Sequence, residues 1–401
     1  MRSWKTSFTA LLIAQIFSLI GFSIMQPVIP LFLREDIGVT DPVQLKTWVG
    51  LLNAAPALFM AIFAPIWGNL ADIYSRRAML LRAMLGGSVI MTLMAFVSTP
   101  WQFLLLRSIQ GCVTGTVAAA TVLTAGIAPA AQVAFALGML QAGIAVGNSL
   151  GPMIGGLLAD FLSFRAAFVA TGISLALAGL IVLIWVKEDA KPPPEDGKSR
   201  KFSLIPNFKP IADSPLIITV LLVSFGVNAA ITATVSMMPL FIRELVLSAT
   251  GEEALIASTT GLVLGIGAAS SAFASVLFGK LAVRIGYWTP LIICMAAGAL
   301  FFGLQALLVT TVAQLMILRI LSSFFIGGAL PLAKSIIALS SEKDKQGVVY
   351  GVNSSVTAAG MAFGPMIGSS VAMLGLRAMF VASAAILALT SIVAAYRRKW
   401  A

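Results

Sequence analysis

Residues 6–33 pass without a single charged side chain, 28 positions in a row, and comparable runs recur along the chain, 25 residues at 47–71 and 29 at 214–242. About 20 apolar residues in a helix cross the ~30 Å hydrocarbon core of a bilayer, so each run is long enough to span it. Two longer runs, 52 residues at 108–159 and 34 at 285–318, hold more than one crossing, with turn signals at Ala128-Pro129 and Thr310-Thr311. Twelve spans result, centred near residues 20, 60, 90, 113, 147, 176, 228, 267, 299, 325, 360 and 386. The runs lack period-2 alternation, and a backbone in lipid must satisfy its own hydrogen bonds. The predicted fold is therefore an all-α membrane protein and not a barrel. With 10% charged residues, a soluble globular fold, which carries about 25%, is excluded.

The positions of the charges explain the net +11. If the N-terminus is cytoplasmic, 19 Lys and Arg fall on the cytoplasmic side and five (Arg34, Lys46, Arg165, Arg243 and Arg377) outside, while Arg107 and Arg319 lie within spans. This asymmetry predicts a multi-pass inner-membrane protein with both termini cytoplasmic, and it accounts for the basic balance without a nucleic-acid partner. Met1 to Lys5 resembles the start of a signal peptide, but the apolar run that follows is too long for one, so the first span is expected to be retained. Cys112 and Cys294 lie in apolar runs, and the chain has no histidine. No disulfide framework, thiolate metal site or other cofactor is expected. Residues 187–214 hold six basic and five acidic residues with Pro192-Pro193-Pro194, a solvated cytoplasmic loop. It divides an N-terminal six-helix bundle, 1–186, from a C-terminal one, 215–401.

The second half repeats the first. Pro30-Leu-Phe-Leu-Arg-Glu35 returns as Pro239-Leu-Phe-Ile-Arg-Glu244, Gly68-Asn-Leu-Ala as Gly279-Lys-Leu-Ala, and Leu106-Arg107 as Leu318-Arg319. Gly151-Pro152-Met-Ile-Gly155 returns as Gly364-Pro365-Met-Ile-Gly368, and Arg165-Ala-Ala-Phe-Val-Ala as Arg377-Ala-Met-Phe-Val-Ala. The offsets run from 209 to 213. Parallel halves related by an axis along the membrane normal are a transporter design, with substrate held between them.

Gly68-Asn-Leu-Ala-Asp72-Ile-Tyr-Ser-Arg76-Arg77 resembles the loop between helices 2 and 3 of the major facilitator superfamily, with Ile73 and Ser75 departing from its usual basic residue and glycine. Arg107-Ser-Ile-Gln110-Gly111 is similar to that family's fourth-helix pattern. Gly143, Gly147, Gly151, Pro152, Gly155 and Gly156 resemble the fifth-helix motif of its twelve-helix drug:proton antiporters. The resemblance implies alternating-access export of small amphipathic compounds, coupled to protons, by a functional monomer in the lipid bilayer. A nutrient facilitator or a lipid flippase of the same fold stays open as the alternative.

Several residues then acquire candidate roles. Gly68, Asp72, Arg76 and Arg77 would latch the cytoplasmic side, since a carboxylate there can meet the positive end of a helix from the other half; alternatively, the arginines only set topology. The fifth-span glycines permit close helix approach, and a packed fifth span against its copy in the eleventh (Gly360, Gly364, Pro365, Gly368) would form part of the moving interface. Arg107 costs about 2.5–3.5 kcal/mol to insert, so it faces either a wet cavity or a polar partner. In the fold the resemblance implies, spans 1, 4, 7 and 10 line the cavity, making Gln26, Arg107, Gln110, Thr114, Asn228, Thr232, Met238, Arg319 and Ser322 candidate substrate contacts. No carboxylate sits in mid-membrane, so Glu35, Asp36, Glu244 and Asp160 at span ends are the candidates for proton coupling. No catalytic cluster, metal cluster or nucleotide-binding loop is present in the sequence, which argues against an enzyme or an ATP-driven pump.

Overall fold

The computed structural model describes residues 4–73, 75–188, 214–251, 253–340 and 346–397, without the side chains of 65, 68, 69, 71–73, 130, 134 and 346–348. Twelve helices follow in order, and each predicted centre falls inside one. In the first half, α1 runs Trp4–Ile24 and continues as Ile29–Glu35, α2 is Pro42–Ile73, and α3 runs from Arg76 to Met94 through a π turn at Arg82–Gly86. Then α4 comprises Pro100–Val113 and Thr116–Ile127, α5 is Val133–Phe161 and α6 is Phe164–Trp185. In the second half, α7 is Pro215–Thr250, α8 Ile256–Ile285, α9 Trp288–Leu308, α10 Val312–Ser340, α11 Gln346–Ala372 and α12 Ala378–Arg397. Eleven of these are long and apolar enough to cross a membrane. α11 is not among them, having Asn353, Ser354, Ser355, Thr357, Ser369 and Ser370 along it, and is the twelfth by its place between α2 and α7.

Helices α1–α6 form one bundle and α7–α12 the other. Within each, the first helix packs against the fifth and sixth, and the third against the sixth; across the seam, α5 packs on α8 and α2 on α11. An even number of crossings puts Trp4, Glu188, Ser214 and Arg397 on one side, here called the terminus side; the opposite side is the far side.

The sequence repeat is also a repeat of local chemistry. Thr99 caps α4 by accepting from the Gln102 amide while the Gln102 side chain accepts from the Ser98 amide; Thr311 and Gln314 do the same for α10. These capping boxes satisfy helix-end amides that lipid could not. Arg165, at the start of α6, donates to the carbonyls of Ala95 (2.5 Å) and Val97 at the end of α3. Arg377 does the same to Ala306 and Val309 at the end of α9. The guanidinium at each site ties two helix ends together on the far side, a role that explains why the Arg-Ala-x-Phe-Val-Ala segment recurs. Hydroxyls of Thr171 on α6 and Ser383 on α12 likewise donate to backbone carbonyls of α1 and α7, Gly21 and Ala230.

The glycine motif packs differently from expectation. A side chain at Gly143, Gly147, Gly151 or Gly155 would collide with Leu12, Leu19, Ser23 or Ile24, all on α1. Gly360, Gly364 and Gly368 of α11 meet α7 in the same manner. The fifth helix therefore does not pack on its copy in the eleventh. Each of these two glycine faces serves its own bundle, where it lets the fifth helix of that half lie close against the first. The opposite face of α5 meets α8.

Candidate functional site

Two arginines are buried inside the membrane domain, and the fold treats them oppositely. Arg107 lies about 10 Å along α4 from its start, at 1.5 Å per residue, and is 8% exposed. Its Nε donates to the Leu52 carbonyl of α2 at 2.8 Å and its Nη1 to Gln110 Oε1 at 2.8 Å. The Leu52 carbonyl is free because the residue four positions on, Pro56, has no amide hydrogen to offer it. Gly111 makes the approach possible, since a Cβ there would stand 2.4 Å from the Pro56 carbonyl oxygen. The Arg-x-x-Gln-Gly pattern is thus one device: arginine fills the proline gap, glutamine completes the guanidinium, glycine admits the helix. Of the two readings that the sequence left open for Arg107, the structure supplies the polar partner.

Arg319 on α10 occupies the equivalent place and is 6% exposed. Gly267 stands on α8 where Pro56 stands on α2, so the Val263 carbonyl keeps its own helical partner. Where Gln110 stands in the first half, Ser322 donates to the Arg319 carbonyl and accepts from Gln305. The guanidinium is left without a hydrogen bond or ion pair among the described residues; its Nε is shut from solvent and unpartnered. Gly267 and Ser323 are its close neighbours, a Cβ on Gly267 falling 3.2 Å from Nε and 2.9 Å from Ser323 Oγ.

The halves meet on the far side. Gly156 fits against Ala257, Gly261 against Pro152 and Gly50 against Pro365 and Ser369, while the Ser149 hydroxyl donates to the Gly265 carbonyl. Two clasps close the ends. α8 has no side-chain cap of its own, Leu255 at its N-cap being left-handed (φ 55°). Instead Asp160, at the end of α5, accepts from the amides of Ala257 (3.2 Å) and Ser258 (2.7 Å). In the repeat position, Ala372 at the end of α11 accepts through its carbonyl from Lys46 Nζ of α2 at 2.8 Å. Both clasps complement a helix dipole, one at an N-terminus and one at a C-terminus. A third link joins Arg34 to Glu253, which also pairs with Arg243.

On the terminus side, Arg76 and Arg77 are held within their own half. Glu188, just beyond α6, accepts from the Ser75 hydroxyl and from the amides of Arg76 and Arg77, and the Arg77 guanidinium donates to the Leu183 carbonyl. Burial of Glu188 disfavours its charge, but these three hydrogen bonds and the Arg76 charge outweigh that and hold it below the usual carboxylate range. Glu188 was not singled out from the sequence; it becomes visible only when α3 and α6 are brought together. The side chain of Asp72 and the surroundings of Gly68 lie outside the described residues, as does the central loop from 189 to 213.

The other candidates scatter. Asn228 and Thr232 lie on the α7–α11 seam, against Gly360 and Gly364. Met238 and Ser322 are fully enclosed, Thr114 ends the first segment of α4, and Gln26 is exposed at the break in α1. Asp36 pairs with Arg165 at 2.9 Å, while Glu35 and Glu244 are exposed. A cavity of about 520 Å³, lined by Lys5, Thr6, Thr9, Ala10, Ile13, Ile181 and Trp185, lies between α1 and α6 near the terminus side, on helices other than those that carry the two arginines.

Two six-helix bundles with repeated internal chemistry, joined along α2–α11 and α5–α8, define a secondary active transporter and not an enzyme. The chain belongs to the Major Facilitator Superfamily, whose sequence profile matches residues 11–313 and 257–399. It is 32% identical to the multidrug resistance protein MdtG of Klebsiella pneumoniae (strain 342), over 97% of this chain and 93% of that protein. Among solved structures it resembles a bacterial homologue of the human lysosomal transporter Spinster in an inward-facing, unoccupied conformation (TM-score 0.76, 15% identity, 100% and 98% of the two chains). It also resembles the nucleoside transporter NupG (TM-score 0.80, 13% identity, 97% and 99%).

Proposed function

We propose that this transporter is a proton-driven exporter of small amphipathic compounds, working as a monomer in the cell membrane with both termini cytoplasmic. End-to-end likeness to a multidrug resistance protein carries the reading, and the 19-to-5 distribution of basic residues supports the orientation. In that orientation the Gly50, Gly156 and Gly261 contacts and the Asp160 and Lys46 clasps close the outer face, so the conformation is the one that loads from the cytoplasm. Export then requires these clasps to open and the terminus side to close, bringing the loop of Gly68, Asp72, Arg76 and Arg77 against the second half.

The direction of coupling sorts the carboxylates. In an antiporter, proton loading from outside must favour return to the inward-open form. Protonating Asp160 removes the charge that caps α8 and so favours the opposite form; it acts as a clasp. Asp36 is held by Arg165. Glu35 and its repeat counterpart Glu244 remain the foremost candidates. The test is purified protein in proteoliposomes with an imposed pH gradient and a panel of labelled amphiphiles, with Glu35, Asp36 and Glu244 neutralised in turn. Flux that follows the gradient and fails in Glu35→Gln or Glu244→Gln is expected; flux indifferent to collapse of the gradient overturns proton coupling.

A further inference from the structure

We propose that Arg319 is the recognition point for an oxyanion, a carboxylate, sulfonate or phosphonate on an amphipathic ligand, and that Arg107, its counterpart by sequence repeat, is structural. The proposal rests on the exporter reading and gives its substrate a chemical class.

Four observations converge. Arg319 is more than nine-tenths buried, and its guanidinium has no hydrogen-bond or ion-pair partner among the described residues. An unpaired guanidinium in the membrane interior is costly and is kept only where something binds it. The repeat shows that a satisfied version of the same position exists in this protein: Arg107 receives the Leu52 carbonyl and Gln110. Both of those partners are withdrawn in the second half, one by Gly267 in place of proline and the other by Ser322 turning to backbone and Gln305. Finally, among the described residues no carboxylate pairs with Arg319, and those with described side chains, such as Glu35, Asp36, Asp160, Glu188 and Glu244, lie toward or beyond the helix ends, so none of them competes for the cation. A planar guanidinium offers paired N–H donors in a fork matched to two oxygens of one anion. The adjacent Ser323 hydroxyl, brought close by the absence of a side chain at Gly267, adds a donor for a third oxygen. A cationic amphiphile finds no counter-ion here and is repelled.

The full-length protein is purified into phosphatidylcholine nanodiscs, and binding of 1-naphthalenesulfonate is compared with that of its neutral isostere, 1-naphthalenesulfonamide, by calorimetry. The wild type is expected to prefer the sulfonate by about tenfold or more, the range for a charge-assisted hydrogen bond. Arg319→Gln is expected to lose that preference while still binding the sulfonamide, and Arg319→Lys to keep part of it. The thermal midpoint of Arg319→Gln is expected to equal or exceed that of the wild type, which separates lost recognition from lost fold. Competition of the sulfonate by phosphatidylglycerol added to the nanodiscs assigns the same oxyanion site to a lipid headgroup; its absence assigns it to soluble compounds. An equal sulfonate preference in wild type and Arg319→Gln overturns the proposal, as does wild-type preference for the sulfonamide. A wild type that moves cationic or neutral compounds under a pH gradient but shows no sulfonate preference sinks this inference alone. A wild type that moves nothing sinks the exporter reading and leaves the binding result to stand by itself.

Discussion

The N-terminal bundle has broken helices and holds its buried arginine, Arg107, with two hydrogen bonds; the C-terminal bundle has continuous helices and leaves the guanidinium of Arg319 without a partner among the described residues. α1 is interrupted between Ile24 and Ile29, where Pro27 adds a second proline to the one shared with the repeat, and α7 runs unbroken for 36 residues with only Pro239 inside. α4 breaks at Thr114-Gly115, with Gly115 at φ 135°, whereas α10 is a single helix of 29 residues. α3 contains a π turn and α9 does not. Breaks expose backbone groups that side chains must then satisfy. The pair Leu52–Arg107 shows the economy of this: a proline frees a carbonyl and an arginine takes it. In the second half glycine stands in place of that proline, no carbonyl is freed, and the arginine is left for a ligand. Duplicated sequence has diverged into a scaffold half and a recognition half.

The largest effect should come from the glycine faces on which both halves depend. Gly155→Leu drives a side chain into the Ile24 carbonyl, 2.1 Å from the position of a Cβ, an overpacking worth more than ~3 kcal/mol. Loss of the monodisperse peak in size-exclusion chromatography is expected, whereas Gly138→Leu, on the same helix with nothing within 4 Å, should behave as wild type.

Next, Arg107→Gln strips the Leu52 carbonyl and Gln110 of a charged donor. A loss of roughly 2–3 kcal/mol is expected in thermal unfolding, with no such loss in Arg319→Gln. Equal losses in both would erase the difference between the halves.

The sharpest form of the comparison is a transplant. Gly267→Pro combined with Ser323→Gly recreates the Pro56–Gly111 arrangement in the second half and frees the Val263 carbonyl for Arg319. The double variant should gain thermal stability relative to Gly267→Pro alone and lose its preference for an anionic ligand. Retained preference would show that the unfilled carbonyl is not what separates the two sites.

Smaller effects belong to the clasps. Asp160→Asn keeps an acceptor but removes the charge at the start of α8, about 0.3–1 kcal/mol. Spin-label distances between the far ends of α5 and α8 should shift toward a longer population, with a weaker response for Lys46→Gln between α2 and α11. No shift in either would mean that glycine packing alone closes this side.

The smallest concerns Glu188. Because its folded-state pKa is depressed, its contribution is complete above the ordinary carboxylate range and is lost as pH falls through the depressed value. Stability of the wild type should therefore decline across that acidic window, and Glu188→Gln should flatten this part of the profile. Identical acid profiles would remove Glu188 as the anchor of the Arg76–Arg77 turn.

Much of this architecture is legible in the chain. All twelve span centres fall in helices, because uncharged length is dictated by bilayer thickness and needs no tertiary context. The repeat was visible as well, since Leu106-Arg107 and Leu318-Arg319 sit at one offset. What the repeat concealed was the divergence at Pro56 and Gly267, two ordinary membrane-helix residues whose meaning depends on an arginine more than fifty positions away. The packing partner of the fifth-helix glycines was hidden for a similar reason: a small-residue face announces close approach without saying to what. Arg165 and Arg377 looked like far-side topology charges until Ala95, Val97, Ala306 and Val309 came within reach.

By itself the sequence determined the number of crossings, the duplication and the family, because these follow from local hydrophobicity and from patterns that recur along the chain. Tertiary structure alone decided which arginine is satisfied, which half caps α8 and which helix each glycine face meets. Hydrogen bonds of side chains in lipid are settled by whichever backbone carbonyl or amide the packing leaves unpaired, and that is a property of two helices at once.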